Sequence, residues 1–143
     1  MPKAIEEFCR ETSQPVPESE GQFARCVFES LALKYAATLD HLEELTGTKI
    51  EVLHIVGGGS QNKLLNQFTA NAAARPVLAG PVEATVLGNL LVQARSHGEL
   101  RSLADIRTVI RTSSEPGLHE PADTSAWQAA RGRYAEICKG RAA

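Results

Sequence analysis

The sequence predicts an α/β fold that is rich in helices, with short strands near residues 50–56 and 76–79. Apolar residues recur at three- and four-residue spacing over most of the chain, which is typical of amphipathic helices. Each of the two predicted strands is a short, mostly apolar run that ends in glycine. The 143 residues, 43% of them hydrophobic, suit a single globular domain spanning 1–143.

The first two helices are predicted over residues 3–12 and from Glu20 to about Leu45. Gly47 stands where a C-cap glycine ends a helix. The large apolar residues of the second helix recur at i+3 and i+4, and this spacing predicts its buried face. They are Phe23, Val27, Leu31, Tyr35, Leu39, Leu42 and Leu45.

Four more helices are predicted after the first strand. They begin at Lys63, at Glu83, at Ser102, where a capping box is predicted, and at Asp123 or Thr124. Residues 112–123, between the last two helices, are predicted to be a loop. The residues predicted to face the core are Leu64, Leu65, Phe68 and Ala72 in the first of these helices, Val86, Leu87, Leu90, Leu91 and Ala94 in the second, Leu103, Ile106 and Ile110 in the third, and Trp127, Ala130, Tyr134 and Ile137 in the last.

The segment from Val52 to Asn62 is the most informative part of the chain. An apolar strand leads into three glycines, and a Ser-Gln-Asn turn then opens a helix. Strand, glycine turn and helix can present backbone N–H groups and a helix N-terminus to an anionic ligand. Glycine also lets a ligand approach the backbone closely, because it has no Cβ. A nucleotide is therefore the natural candidate.

Other glycine motifs fit this segment less well. The order of a phosphate loop, G-x-x-x-x-G-K-[ST], is absent, and Asn62 stands where the dinucleotide pattern needs its third glycine. Ser60 is not a nucleophile elbow, because position 62 is not glycine. The remaining alternative is a tight strand-to-helix turn that holds no ligand.

Charge and composition argue against several classes of function. A net charge of −2 and a pI near 6.1 give no electrostatic footprint for nucleic acid. The apolar stretches are too short to cross a membrane and no signal peptide is evident, so a cytoplasmic location is expected. The cysteines form no Cys-x-x-Cys pair, so a zinc site is not expected. Whether Cys9 and Cys26 pair stays open, with reduced thiols favoured.

Two stretches carry a resemblance to a known family. Residues His54 to Asn71, with Gly-Gly-Gly-Ser-Gln-Asn and then Leu-Leu-Asn-Gln, resemble the adenosine motif of the FGGY carbohydrate kinases. Residues Arg75 to Leu90, with Ala-Gly-Pro-Val-Glu-Ala-Thr, resemble the second connecting motif of that family. The likeness extends from about Ile5 to Tyr134. It implies the C-terminal part of an actin/hexokinase-like (ribonuclease H-like) kinase domain.

The resemblance also implies a set of site residues. Gly57, Gly58 and Gly59 match glycines that pass under the ribose and phosphates, while Gln61 and Asn62 match positions near the adenine. For Asn62, a helix-capping role is an equally good interpretation. No catalytic residue and no metal ligand is expected in this chain, because the family's catalytic aspartate and Mg ligands belong mainly to segments that find no match here.

The activity implied for the whole kinase is phosphoryl transfer from Mg-ATP to the 1-hydroxyl of L-rhamnulose. The two motifs most resemble those of the family members that act on this sugar. Related members that act on L-fuculose or D-xylulose are the alternative. The N-terminal catalytic domain is expected to be absent from this chain, which alone would then be inactive. A non-catalytic domain that associates with itself through the 50–56 strand is a second alternative. The oligomeric state is left open.

Overall fold

The computed structural model describes residues 1–139, and this part of the chain contains six α-helices, one 3₁₀ helix and three strands. The helices are α1 (Pro2–Glu11), α2 (Glu20–Thr46), α3 (Lys63–Ala73), α4 (Ala84–Ser96), α5 (Leu103–Ser113) and α6 (Ser125–Lys139). The strands are β1 (Leu53–Ile55), β2 (Val77–Ala79) and β3 (Gly117–His119), and the 3₁₀ helix is Gly58–Gln61. The predicted helix-rich α/β class is confirmed.

Helix ends were predicted well, because the signals that set them are local. The Ser19 side chain accepts a hydrogen bond from the Gln22 N–H at the start of α2. At its other end Gly47 adopts φ 64° and donates its N–H to the Glu43 carbonyl at 2.8 Å. The capping box of α5 is also confirmed, with the Asp105 N–H donating to the Ser102 hydroxyl.

The buried face of α2 includes Leu39, as predicted, but its other buried residues are alanines that were not predicted. Ala32, Ala36 and Leu39 are buried and pack against Ala72 and Ala73 of α3. Small side chains let the two helix backbones approach closely, so alanines form the contact and larger residues lie beside it. The large residues predicted as core but found exposed are Tyr35 at 38%, Leu42 at 44% and Leu45 at 84%.

Partly buried side chains extend this core. The Phe68 ring on α3 and the Trp127 ring on α6 lie with centroids 5.2 Å apart. The predicted inner face of α6, from Trp127 to Ile137, is confirmed as half-buried. In α3, however, Leu64 is 50% exposed, while Asn66, Thr69 and Asn71 are buried in its place.

The three strands form one small sheet in the order β1-β2-β3, with β1 and β2 parallel and β2 and β3 antiparallel. Both predicted strands are present, although β1 covers only Leu53–Ile55 of the predicted 50–56. Strand β3 was wrongly predicted as loop. It is three residues long, Leu118 is 58% exposed, and only its ladder with β2 makes it a strand.

Helix α4 presents a largely exposed apolar face. Leu91 is buried, but Val86 is 62% exposed and Leu90 is 59% exposed, against the predicted burial of both. The helical period identified an amphipathic helix correctly, but within residues 1–139 little packs on the side that carries Val86 and Leu90.

Candidate functional site

Two loops meet at one edge of the sheet, where the parallel strands β1 and β2 both end. The Gly80 N–H donates to the Ile55 carbonyl at 2.8 Å, and the Gly57 N–H donates to the Pro81 carbonyl at 3.0 Å. These two bonds hold the loops side by side. The carboxyl ends of parallel strands are where open α/β sheets bind ligands.

The first loop needs glycine for its backbone conformation. Gly57 has φ 78° and ψ −164°, a region that side chains disfavour, and the chain then turns directly into the 3₁₀ helix Gly58–Gln61. A Cβ added to Gly58 or Gly59 would meet no heavy atom within 4 Å. The side of the loop above these two glycines is therefore open space that a ligand can enter.

Backbone donors are available at the same place. Within residues 1–139, neither the Gly58 N–H nor the Gly59 N–H donates a hydrogen bond to another residue. Helix α3 begins at Lys63, directly after the loop, and adds the positive end of its dipole. Unpaired N–H groups beside a helix N-terminus suit the phosphates of a nucleotide.

A buried polar pair supports the loop from below. The Ser60 hydroxyl donates to the Gly57 carbonyl at 2.7 Å, and the Ser60 N–H donates to the same oxygen at 3.0 Å. The Asn66 side chain, which is fully buried, donates through Nδ2 to the Ser60 carbonyl at 2.9 Å. Sequence reasoning considered Ser60 only as a nucleophile and missed Asn66. The signal was available, since Asn66 lies on the face of α3 shared by Thr69, Ala70 and Ala73.

Gln61 and Asn62 complete the set of residues that the motif predicts. Gln61 is exposed at the end of the 3₁₀ helix. The Asn62 side-chain oxygen accepts a hydrogen bond from the Leu65 N–H at 3.0 Å, so the capping interpretation of Asn62 is confirmed. All five predicted site residues lie on one continuous loop. A contact of Gln61 or Asn62 with adenine stays a prediction.

The second loop leads into α4. Glu83 precedes this helix and makes no capping hydrogen bond through its side chain, although its carboxylate lies near the positive end of the helix dipole. His54, in strand β1, is exposed.

The shifted pKa values belong to groups outside the loop. Hydrogen bonds from the Ile50 N–H and from Arg75 lower the pKa of Glu43, at the C-terminal end of α2. Burial, followed by the neighbouring Cys9, raises the pKa of the Cys26 thiol. Both cysteines are free.

Residues 1–139 contain neither a metal-binding cluster nor a membrane-spanning helix. They contain no group of three or more His, Cys, Asp or Glu side chains placed to hold a metal ion. Among the same residues, no helix is both long enough and apolar enough to span a membrane.

Comparison with known proteins agrees with this geometry. Residues 1–97 match a family model described as the C-terminal domain of the FGGY family of carbohydrate kinases. A rhamnulokinase of Bacteroides thetaiotaomicron is 52% identical over 130 residues, which make up 91% of this chain and 27% of that protein. A rhamnulokinase of Enterococcus faecalis is 50% identical over 118 residues, or 81% of this chain and 24% of that protein.

The chain thus spans about a quarter of the length of these two relatives. The family model covers both the open glycine loop and the second loop beside it. Since the model matches well over half of the chain, the chain belongs to the FGGY family of carbohydrate kinases, within the C-terminal domain of that family.

Proposed function

We propose that this chain, as a single domain over residues 1–143, is the adenosine-side portion of an ATP-dependent kinase that phosphorylates L-rhamnulose at its 1-hydroxyl. The observation that carries the proposal is the open loop with two unpaired glycine N–H groups at the carboxyl edge of a parallel strand pair. The two rhamnulokinases that are at least 50% identical to the chain support the choice of sugar.

The loop fits a nucleotide in shape and in chemistry. Gly57 gives the turn its conformation, and the missing side chains of Gly58 and Gly59 leave room for ribose and phosphates. The exposed Gln61 amide can both donate to and accept from a purine edge. The Asn62 oxygen already caps α3, so its amide nitrogen is the atom that would face the base.

The phosphoryl group transferred would come from bound ATP, with Mg²⁺ neutralising its charge. Because the matching segment covers only about a quarter of each relative, we assign the base, the Mg²⁺ ligands and most sugar contacts to an N-terminal catalytic domain. We expect the 143-residue chain alone to turn over no L-rhamnulose. The site of action would be the cytoplasm, where ATP is available. L-fuculose and D-xylulose are the competing substrates.

A chimaera tests the proposal. This chain would replace the matching 130 residues of the Bacteroides thetaiotaomicron rhamnulokinase, and ADP release would be followed with each of the three ketoses. We expect ATP-dependent turnover of L-rhamnulose, with the ketose preference set mainly by the N-terminal part of the host enzyme. A folded chimaera that releases no ADP would contradict the assignment of this chain to the adenosine side.

Two glycine variants of the chimaera sharpen this test. Gly58→Val places a side chain in the ligand space, and its Cβ has no heavy atom within 4 Å apart from its chain neighbours and its own helix, so the KM for ATP should rise. Overlap that costs about 1–3 kcal/mol corresponds to about a 5- to 150-fold rise. Gly21→Val is the matched control, because Gly21 also has open surroundings but lies in α2. It should leave the KM unchanged.

One observation favours a second function, a non-catalytic domain that associates with itself. In the sheet of the described residues β1 is an edge strand, paired on one side only. An open strand edge can pair with a second copy of the chain. Light scattering of the isolated chain would show dimers that dissociate when a proline replaces His54. A monomer at high concentration would rule this function out.

A further inference from the structure

Asn66 is placed to control the glycine loop without touching the ligand. Its side chain is 0% exposed, and it lies one turn into α3, under the 3₁₀ helix Gly58–Gln61. Its Nδ2 atom donates to the Ser60 carbonyl at 2.9 Å, and Ser60 in turn donates twice to the Gly57 carbonyl. Gly57 is thus connected to the core by a continuous chain of hydrogen bonds, and Gly58 and Gly59 lie between the two anchored residues Gly57 and Ser60.

The other half of the Asn66 amide makes no bond. Its Oδ1 atom is buried and finds no donor among the described residues. The amide cannot be rotated to relieve this, because an oxygen facing the Ser60 carbonyl would lose the only bond that the side chain makes. A buried polar atom without a partner is costly, so an apolar residue would serve simple core packing better. What the amide provides is a hydrogen bond that fixes the position of the Ser60 carbonyl.

Resting on the proposed function, we propose that Asn66 and Ser60 form a clamp that positions the Gly58 and Gly59 N–H groups for the nucleotide phosphates. Asn66 is a positioning residue in this scheme, since it acts only through the loop backbone. Ser60 is the one buried residue of the loop's 3₁₀ helix and joins Asn66 to Gly57. Without the clamp, the donors would still be present but would no longer be held in one arrangement.

An Asn66→Asp variant separates positioning from packing, because the two side chains have the same shape. When ionised, the introduced carboxylate has no proton to give the Ser60 carbonyl. When protonated, it can donate there and restore the bond. Burial without a cationic partner raises the pKa of this carboxyl, so protonation occurs in an accessible pH range. The variant should therefore resemble the wild-type chain at pH 5.5 and differ from it at pH 8.

Two readouts on the 143-residue chain follow the clamp. The first is Mg-ADP affinity by calorimetry. The second is amide exchange at Ser60 and Asn62, whose N–H groups donate to the carbonyls of Gly57 and Gly59. At pH 8, Asn66→Asp should weaken Mg-ADP binding about fivefold and speed exchange by a similar factor, the size expected for one hydrogen bond. At pH 5.5, both values should return to within about twofold of wild type.

Wild-type chain measured at both pH values accounts for the titration of ADP and for any effect of pH that does not involve residue 66. Asn71→Asp is the matched control. Asn71 is also buried on α3, but its Oδ1 accepts bonds from Gln67 and from the Ala122 N–H, and a carboxylate keeps these. It should leave the loop unchanged at both pH values.

Ser60→Ala tests the upper bond of the clamp without adding a charge, in case Asn66→Asp fails to fold at pH 8. It should raise exchange at Asn62 and weaken Mg-ADP binding at both pH values. Equal behaviour of Asn66→Asp and wild type at every pH up to about 9.5, where even a fully buried carboxyl ionises, would overturn the clamp. A loss that does not depend on pH, or a Ser60→Ala chain with an unchanged loop, would also overturn it. A folded wild-type chain that binds no Mg-ADP would instead refute the nucleotide site, and amide exchange would still decide whether the clamp orders the loop.

Discussion

Replacing Leu39 and Leu45 by alanine, one at a time, tests which of the predicted core residues of α2 are buried in the core. Leu39 is 5% exposed and packs in the cluster that joins α2 to α3. The substitution removes three carbon groups at about 0.8 kcal/mol each, or about 2.4 kcal/mol of transfer free energy. The cavity that is left raises the loss to about 3–4 kcal/mol. For a chain of this size that lowers Tm by about 10 °C.

Leu45→Ala is the matched control, because it makes the same change six residues along the same helix. Leu45 is 84% exposed, so its loss should stay within about 0.5 kcal/mol. Urea denaturation followed by far-UV circular dichroism gives both free energies of unfolding for the 143-residue chain. If Leu45→Ala cost as much as Leu39→Ala, the assignment of the buried face would be wrong.

Two further predictions concern stability. Hydrogen bonds from the Ile50 N–H and from Arg75 lower the pKa of Glu43 in the folded chain. The ionised carboxylate therefore stabilises the fold at pH values above the ordinary glutamate pKa of about 4.3. This stabilisation is lost as the pH falls through the lower pKa of the folded state. Glu43→Gln should therefore lower Tm at pH 7 and converge with wild type in acid, unlike the exposed control Glu44→Gln. Gly88→Ala in α4 should stabilise the chain by about 1 kcal/mol, since its surroundings are open. Gly47→Ala should destabilise the chain by about 1–2 kcal/mol, because φ is 64° at this position. If both substitutions changed the free energy of unfolding in the same direction, this prediction would be wrong.

The sequence predicted the order and type of the six helices because their signals are local. Ser19, Gly47 and the capping box at Ser102 act on backbone groups within four residues. The strand-turn-helix at Val52 to Asn62 was likewise visible, since the change from strand to helical period occurs across three adjacent glycines.

Contacts between distant elements were harder to predict. Hydrophobic periodicity gives most weight to large side chains, so it selected Tyr35 and Leu42, whereas close packing of α2 on α3 selected Ala32 and Ala36. Strand β3 has no apolar alternation of its own and depends on its partner β2. Pairing with a distant strand leaves no mark in the local sequence.

The same difference between local and distant signals applies to the candidate site. The residues that would touch the nucleotide, Gly57 to Asn62, were predicted from one contiguous motif. Asn66, which we propose positions them, was not, because its role depends on the fold placing a buried amide 2.9 Å from the Ser60 carbonyl. Polar residues on the buried face of a helix are the signal that could have identified it.

Calorimetric titration of the 143-residue chain with Mg-ADP tests the central claim most directly, with Gly58→Val and Gly21→Val measured alongside. Neither valine meets a protein atom within 4 Å of its Cβ, so both variants should fold. The account predicts binding by the wild-type chain and by Gly21→Val, and a loss of at least about tenfold in affinity for Gly58→Val. Equal binding by all three chains, or no binding by a folded wild-type chain, would contradict the claim that the glycine loop holds the nucleotide.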